Sequence, residues 1–120
     1  MGKAILTFER FCRAWMTAVN ERGTDDLMSL LSDDFRWVTY TQNPAGLDAA
    51  GTRDFCLGGT VGSFNYTGTI HDSNEVLIGT NDITRQGEAS KVLNVAKVRD
   101  GKVFEFHHLR AQFKINGEVQ

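Results

Sequence analysis

A chain of 120 residues, 41% hydrophobic and 23% charged, has the size and composition of one compact domain spanning residues 1–120, which excludes a disordered or low-complexity chain. A formal net charge of −2 excludes a broadly basic nucleic-acid-binding surface. No apolar run approaches the roughly 18–20 residues needed to cross a bilayer, so a membrane partner is not expected either.

Ile5, Phe8, Cys12, Trp15 and Val19 recur at helical steps, and Ala4, Phe11 and Ala18 widen the stripe, which predicts an N-terminal helix with one broad buried face. Gly23 is expected to end it by taking the left-handed backbone. Glu9, Arg10 and Arg13 interrupt this apolar segment, so it does not read as a secretory signal. Cys12 and Cys56 belong to no CxxC or Cys/His cluster. They are read as buried thiols, with a disulfide left open, and a reducing, cytoplasmic location is expected.

Thr24 is placed to cap a short second helix, with Asp25 and Asp26 in its first turn and Leu27, Leu30 and Leu31 buried. Ser32-Asp33-Asp34 is expected to stop it. A strand follows from Phe35 to Tyr40, with Phe35, Trp37 and Thr39 on one face. Thr41 to Gly46 reads as a loop, and Leu47 to Leu57 as a weaker third helix closed by Gly58-Gly59.

The rest reads as strands: Phe64 to His71, Glu75 to Thr84, Ala89 to Arg99 and Lys102 to Ile115. Asp100-Gly101 is the strongest hairpin signal, because a two-residue type I′ turn needs positive φ at both positions. Arg85-Gln86-Gly87 and Asp72-Ser73-Asn74 are further hairpin loops. Helices first and an antiparallel meander second is an α+β plan, in the order α-α-β-α-β-β-β-β.

The last strand carries the richest chemistry. Phe104, Phe106, His108 and Arg110 share one face, and Val103, Glu105, His107 and Leu109 the other; a β-bulge would exchange them. A histidine titrates near physiological pH, so whichever of His107 or His108 faces inward matters. Arg110 facing inward needs a carboxylate or an anionic ligand; facing outward it is a solvated or interface charge. Trp15 and Trp37 read either as core packing or as aromatic walls, and Asn94 either as a satisfied structural amide or as a ligand contact. His71, next to a turn, reads as exposed. No spacing of His, Cys, Asp and Glu suggests a metal site, and no cofactor motif is present.

The helix-to-strand junction Ser32-Asp33-Asp34-Phe35, Arg53-Asp54-Phe55 on the third helix and Asp100-Gly101-Lys102-Val103 before the last strand, in this element order, resemble the nuclear transport factor 2-like superfamily. That group includes ketosteroid isomerases and SnoaL-like polyketide cyclases. The resemblance implies a cone, in which a curved antiparallel sheet wraps the N-terminal helices and leaves a cavity at its open end. It also implies a homodimer through the outer sheet face, where Val95, Leu109 and Phe113 are apolar candidates. The tyrosine, aspartate base and second acid of the isomerases fall on Trp15, Thr39 and Asn94 here, so the chain departs from that pattern at each position. Thr39 cannot serve as a carboxylate base.

The expected function is therefore binding of a compact, mostly apolar molecule bearing a carbonyl or acid group. Trp15, Trp37 and Phe106 would wall it, with Thr39, Asn94, His108 and Arg110 as polar contacts. An enzyme of isomerase or cyclase type would use His108 as acid or base, with Trp15 and Asn94 holding the developing oxyanion. The alternative is a dimeric ligand-binding or interaction module without catalysis. An activity like that of limonene-epoxide hydrolases would need an Asp-Arg-Asp cluster, and only Arg110 is on offer.

Overall fold

A computed structural model describes residues 5–39, 43–112, 114–115 and 118–119. Helix α1 runs from Phe8 to Asn20. It starts three residues later than the apolar stripe suggests: Ile5 lies outside it and is 60% exposed. Two acceptors fix that start. Thr7 Oγ1 takes the Arg10 amide at 3.1 Å, and the Asp72 carboxylate, from the far end of a strand, takes the Phe8 amide at 2.7 Å. Asp72→Ala should therefore cost about 1 kcal/mol in urea unfolding, and Asp72→Asn, which keeps an acceptor, much less. The buried face comprises Phe8, Phe11, Cys12, Ala14, Trp15, Ala18 and Val19.

At the other end Arg22, not Gly23, adopts the left-handed backbone, with φ 63°. Its guanidinium Nη1 donates to the Val19 carbonyl at 2.7 Å, which supplies a partner to a helix end otherwise left open. Helix α2 (Asp25–Ser29) follows; Thr24 precedes it, but its side chain makes no capping hydrogen bond. Leu27 anchors the helix at 0% exposure. Leu31 belongs not to α2 but to strand β1 (Leu31–Thr39), and the expected stop at Ser32-Asp33-Asp34 is strand. The reason is a partner far along the chain: Val103 donates its amide to the Leu30 carbonyl at 2.8 Å.

Strand β2 (Asn43–Leu47) occupies the segment expected to be a loop and pairs antiparallel with β1 through Trp37 and Leu47. Pro44 is tolerated there because β2 is an edge strand. Helix α3 (Ala49–Leu57) begins two residues later than predicted, at the Asp48 carboxylate, which accepts the Gly51 amide at 2.8 Å. Four long strands complete the sheet: β3 (Ser63–Asp72), β4 (Val76–Arg85), β5 (Glu88–Arg99) and β6 (Lys102–Gln112). A short pair, β7 (Lys114–Ile115) and β8 (Glu118–Val119), lies beyond. Gln86-Gly87 and Asp100-Gly101 both make two-residue turns with positive φ at each position, as their composition predicts.

The sheet order is β2-β1-β6-β5-β4-β3. The meander β3 to β6 is antiparallel, as expected, but β1 runs parallel to β6, so the sheet is mixed. Phe64 on β3 and Phe106 on β6 both stack on the Trp15 indole, with centroids at 5.7 and 5.5 Å. A flat sheet would hold those strands about 14 Å apart. The sheet therefore curls around α1. Both cysteines are free and buried, and burial pushes the Cys12 thiol up to about 12 and the Cys56 thiol to about 11. No described helix is long and apolar enough to cross a membrane.

Candidate functional site

The inward faces of α1, β1, β6 and α3 meet in one aromatic group. Trp15 lies edge-on to Trp37 at 5.2 Å and stacks with Phe106 at 5.5 Å, and Phe55 meets Trp37 edge-on at 4.9 Å. Phe11 and Phe64 close it from the helix side and the far sheet edge. Trp15, Trp37 and Phe106 are buried, while Phe55 and His108 are only partly covered, so the group reaches the surface at that end.

A bulge decides which side of β6 faces this group. Val98 on β5 pairs with Val103 and Lys97 with Glu105, so Phe104 is the extra residue. Val103, Phe106 and His108 then face inward, and Phe104, expected with Phe106, lies instead under the Arg99 guanidinium at 4.5 Å. His107 faces the other way, with Nε2 2.5 Å from Glu105 Oε2, and Lys97 Nζ stands 3.4 Å from the same oxygen.

His108 and Trp37 come from strands that are adjacent only because β1 and β6 pair in parallel. The Trp37 indole Nε1–H donates to His108 Nδ1 at 2.8 Å. An indole nitrogen can only donate, so Nδ1 carries the lone pair and Nε2 carries the proton of the neutral ring. Burial holds the imidazole below its ordinary value of 6.5, and the nearby Arg110 charge adds to this. The folded state thus favours neutral His108. This contribution to stability is complete above pH about 6.5, and it is lost as pH falls from there through the folded value. The expected result is a melting temperature that declines below pH about 6.5, with the decline reduced in His108→Gln.

Trp15 contributes the opposite case. Its Nε1–H is buried and has no acceptor among the described residues. Such a group costs about 1–3 kcal/mol if left unpaired. The Asn94 amide, by contrast, has a partner: Nδ2 donates to Asn81 Oδ1 at 2.6 Å, with both residues buried. Asn81 was not among the residues singled out from the sequence. Period two along β4 sets it with Leu77 and Ile83, and a polar residue on that face was the available signal.

Arg110 pairs across the sheet with Val92, whose side chain is buried, yet Arg110 itself is exposed at the end of the inward row. Thr39 lies in β1, and its side chain is outside the described residues, as is Phe113. Every described carboxylate is exposed except Asp82 and Glu105, which are half-buried and paired with lysines on the outer face. The described interior therefore offers donors and aromatic surface but no carboxylate.

No protein-family model and no curated protein sequence matches the chain. Solved structures do. A nuclear transport factor 2-like protein of unknown function from Burkholderia xenovorans superposes with a TM-score of 0.73 at 16% identity, covering 91% of this chain and 87% of that one. A candidate ketosteroid isomerase from Kribbella flavida gives 0.71 at 17% identity, over 88% of this chain and 78% of that one. A hypothetical protein with a ketosteroid isomerase-like fold from Catenulispora acidiphila, in complex with trimethylamine, gives 0.60 at 13% identity, over 87% and 86%. At such identities the likeness establishes the fold.

Proposed function

We propose that this chain, which has the nuclear transport factor 2-like fold, is a small-molecule-binding domain whose ligand is compact, mostly apolar and bears a hydrogen-bond acceptor. The observation that carries this reading is the buried Trp15 Nε1–H, without an acceptor among the described residues, in the same aromatic group as a histidine whose Nε2 also presents a proton. Trp15, Trp37 and Phe106 offer the aromatic wall, and an enclosed apolar cavity at that end of the cone would house the ligand. Asn94 gives an amide proton to Asn81, which ties β5 to β4, and its carbonyl oxygen would be the group that meets a ligand.

Fluorescence titration with 2-acetonaphthone and with 2-ethylnaphthalene tests the reading, since the two differ in the carbonyl. The ketone should bind about tenfold more tightly, in line with one buried hydrogen bond. Equal affinities, or no binding by either, would sink it.

A second reading, isomerase- or cyclase-like chemistry on a carbonyl compound, is favoured by the His108 Nε2–H, which can polarise a carbonyl or deliver a proton to it. No described interior carboxylate is there to take a proton away. Recovery of an altered ligand, abolished by His108→Ala, would establish turnover; recovery of an unchanged ligand establishes the binding module.

The same reading includes a homodimer. Leu93 and Leu109 pair directly across β5 and β6 on the outer face and are 40% and 65% exposed, beside the half-buried Ile78 and Val95. Light scattering should give twice the 13.4 kDa chain mass, and Leu109→Lys should return it to one chain.

A further inference from the structure

Two features of the inward row of β6 bear on what the ligand can be. The first is the direction of the Trp37–His108 bond, in which the indole nitrogen can only give. A protonated His108 would put N–H against N–H, so the contact disfavours the imidazolium, and the reversed tautomer would do the same. The second is the position of Arg110, two residues beyond His108 on the same side of β6, exposed and in no ion pair among the described residues. With the Trp37 N–H committed to that bond, the His108 Nε2–H and, nearer the surface, the Arg110 guanidinium are the donors of this row.

We propose that Trp37 is the specificity-determining residue of this site: it holds His108 as the Nε2–H donor, so that with Arg110 the site selects a small flat carboxylate and refuses an ammonium of similar shape. The proposal rests on the small-molecule reading above and deepens it. Aromatic walls alone would welcome a quaternary ammonium through cation–π attraction. The His108 Nε2–H and the Arg110 guanidinium oppose it, because a cation offers the donor no lone pair and is repelled by the guanidinium charge. A carboxylate accepts from His108 Nε2–H and pairs with the guanidinium. Trp37 is thus a positioning residue acting through His108.

Proton–nitrogen correlation spectra of the histidine rings at neutral pH test the first half without any substitution. His108 should show a bare Nδ1 and a protonated Nε2; the opposite tautomer, or an imidazolium, overturns the proposal. Titrations with 2-naphthoate, 2-acetonaphthone and benzyltrimethylammonium test the second half. Naphthoate should bind tightest and benzyltrimethylammonium weakest. Trp37→Phe should narrow the gap between them about tenfold while the Nε2–H signature gives way to mixed tautomers.

Arg110→Gln, on an exposed side chain, guards against a folding defect in the tryptophan variant. It should weaken naphthoate about tenfold and leave acetonaphthone unchanged. An unaltered naphthoate affinity in Arg110→Gln overturns the proposal. Benzyltrimethylammonium binding as tightly as naphthoate overturns it while leaving the small-molecule reading intact. Failure of all three probes to bind removes both.

Discussion

Gly79→Ala is expected to cost about 3 kcal/mol or more, the upper end for overpacking a core, and to leave little folded protein at physiological temperature. Gly79 sits on β4 where α1 begins, and its missing side chain is what lets the Phe8 ring lie on the strand. A β-carbon there would overlap ring carbons Cδ2 and Cε2 of Phe8 and fall 2.7 Å from the Gly68 carbonyl oxygen. Phe8 is 1% exposed and held at its own amide by Asp72, so the ring has nowhere to go. The carbonyl belongs to the neighbouring strand and cannot rotate away without breaking the ladder. Urea unfolding of Gly79→Ala and of the double variant Gly79→Ala/Phe8→Leu checks this. The second substitution should recover only part of the loss, because the contact with Gly68 remains. Wild-type stability in Gly79→Ala would show that α1 does not pack against β4 as described.

Trp15 separates packing from recognition. Trp15→Ala should cost about 3–5 kcal/mol, since it removes the ring on which Phe64, Phe106, Phe11 and Trp37 converge. Trp15→Phe should differ from wild type by no more than about 1 kcal/mol. It gives up indole area but also removes a buried N–H that has no acceptor among the described residues, and the two effects oppose each other. The phenylalanine variant should nonetheless lose the preference for 2-acetonaphthone over 2-ethylnaphthalene. Chemical denaturation supplies the first comparison and fluorescence titration the second. A large stability loss in Trp15→Phe would mean that the indole N–H is satisfied in the folded protein.

The two substitutions bracket what local pattern can and cannot tell. The α1 stripe marks Phe8 and Trp15 as inward, and the structure places both there. Nothing within the helix indicates that Phe8 rests on a glycine seventy-one residues away, and nothing in β4 explains Gly79 until Phe8 is set against it. The end of α1 makes the same point: Gly23 is the residue of ordinary preference, yet Arg22 takes the left-handed backbone and its own guanidinium closes on the Val19 carbonyl. Composition names the residue that can adopt a conformation most cheaply, and a side-chain hydrogen bond can offset that preference at a neighbour.

The three helices, the four long strands, the Asp100-Gly101 turn and the inward placement of Phe35 and Trp37 were legible from the residues alone. These follow from hydrophobic period and turn chemistry, which act over a few residues. Packing between distant segments settled that β1 lies parallel beside β6, that a bulge takes Phe104 off the face it was expected to share with Phe106 and His108, and that Asn94 donates to Asn81. Each of these is a choice of neighbour between segments far apart in the chain, as with Trp37 and His108, separated by 71 positions. Side-chain alternation says which face a residue joins, but the strand that will lie next to it, and in what register, is set by the packing of the whole sheet around α1.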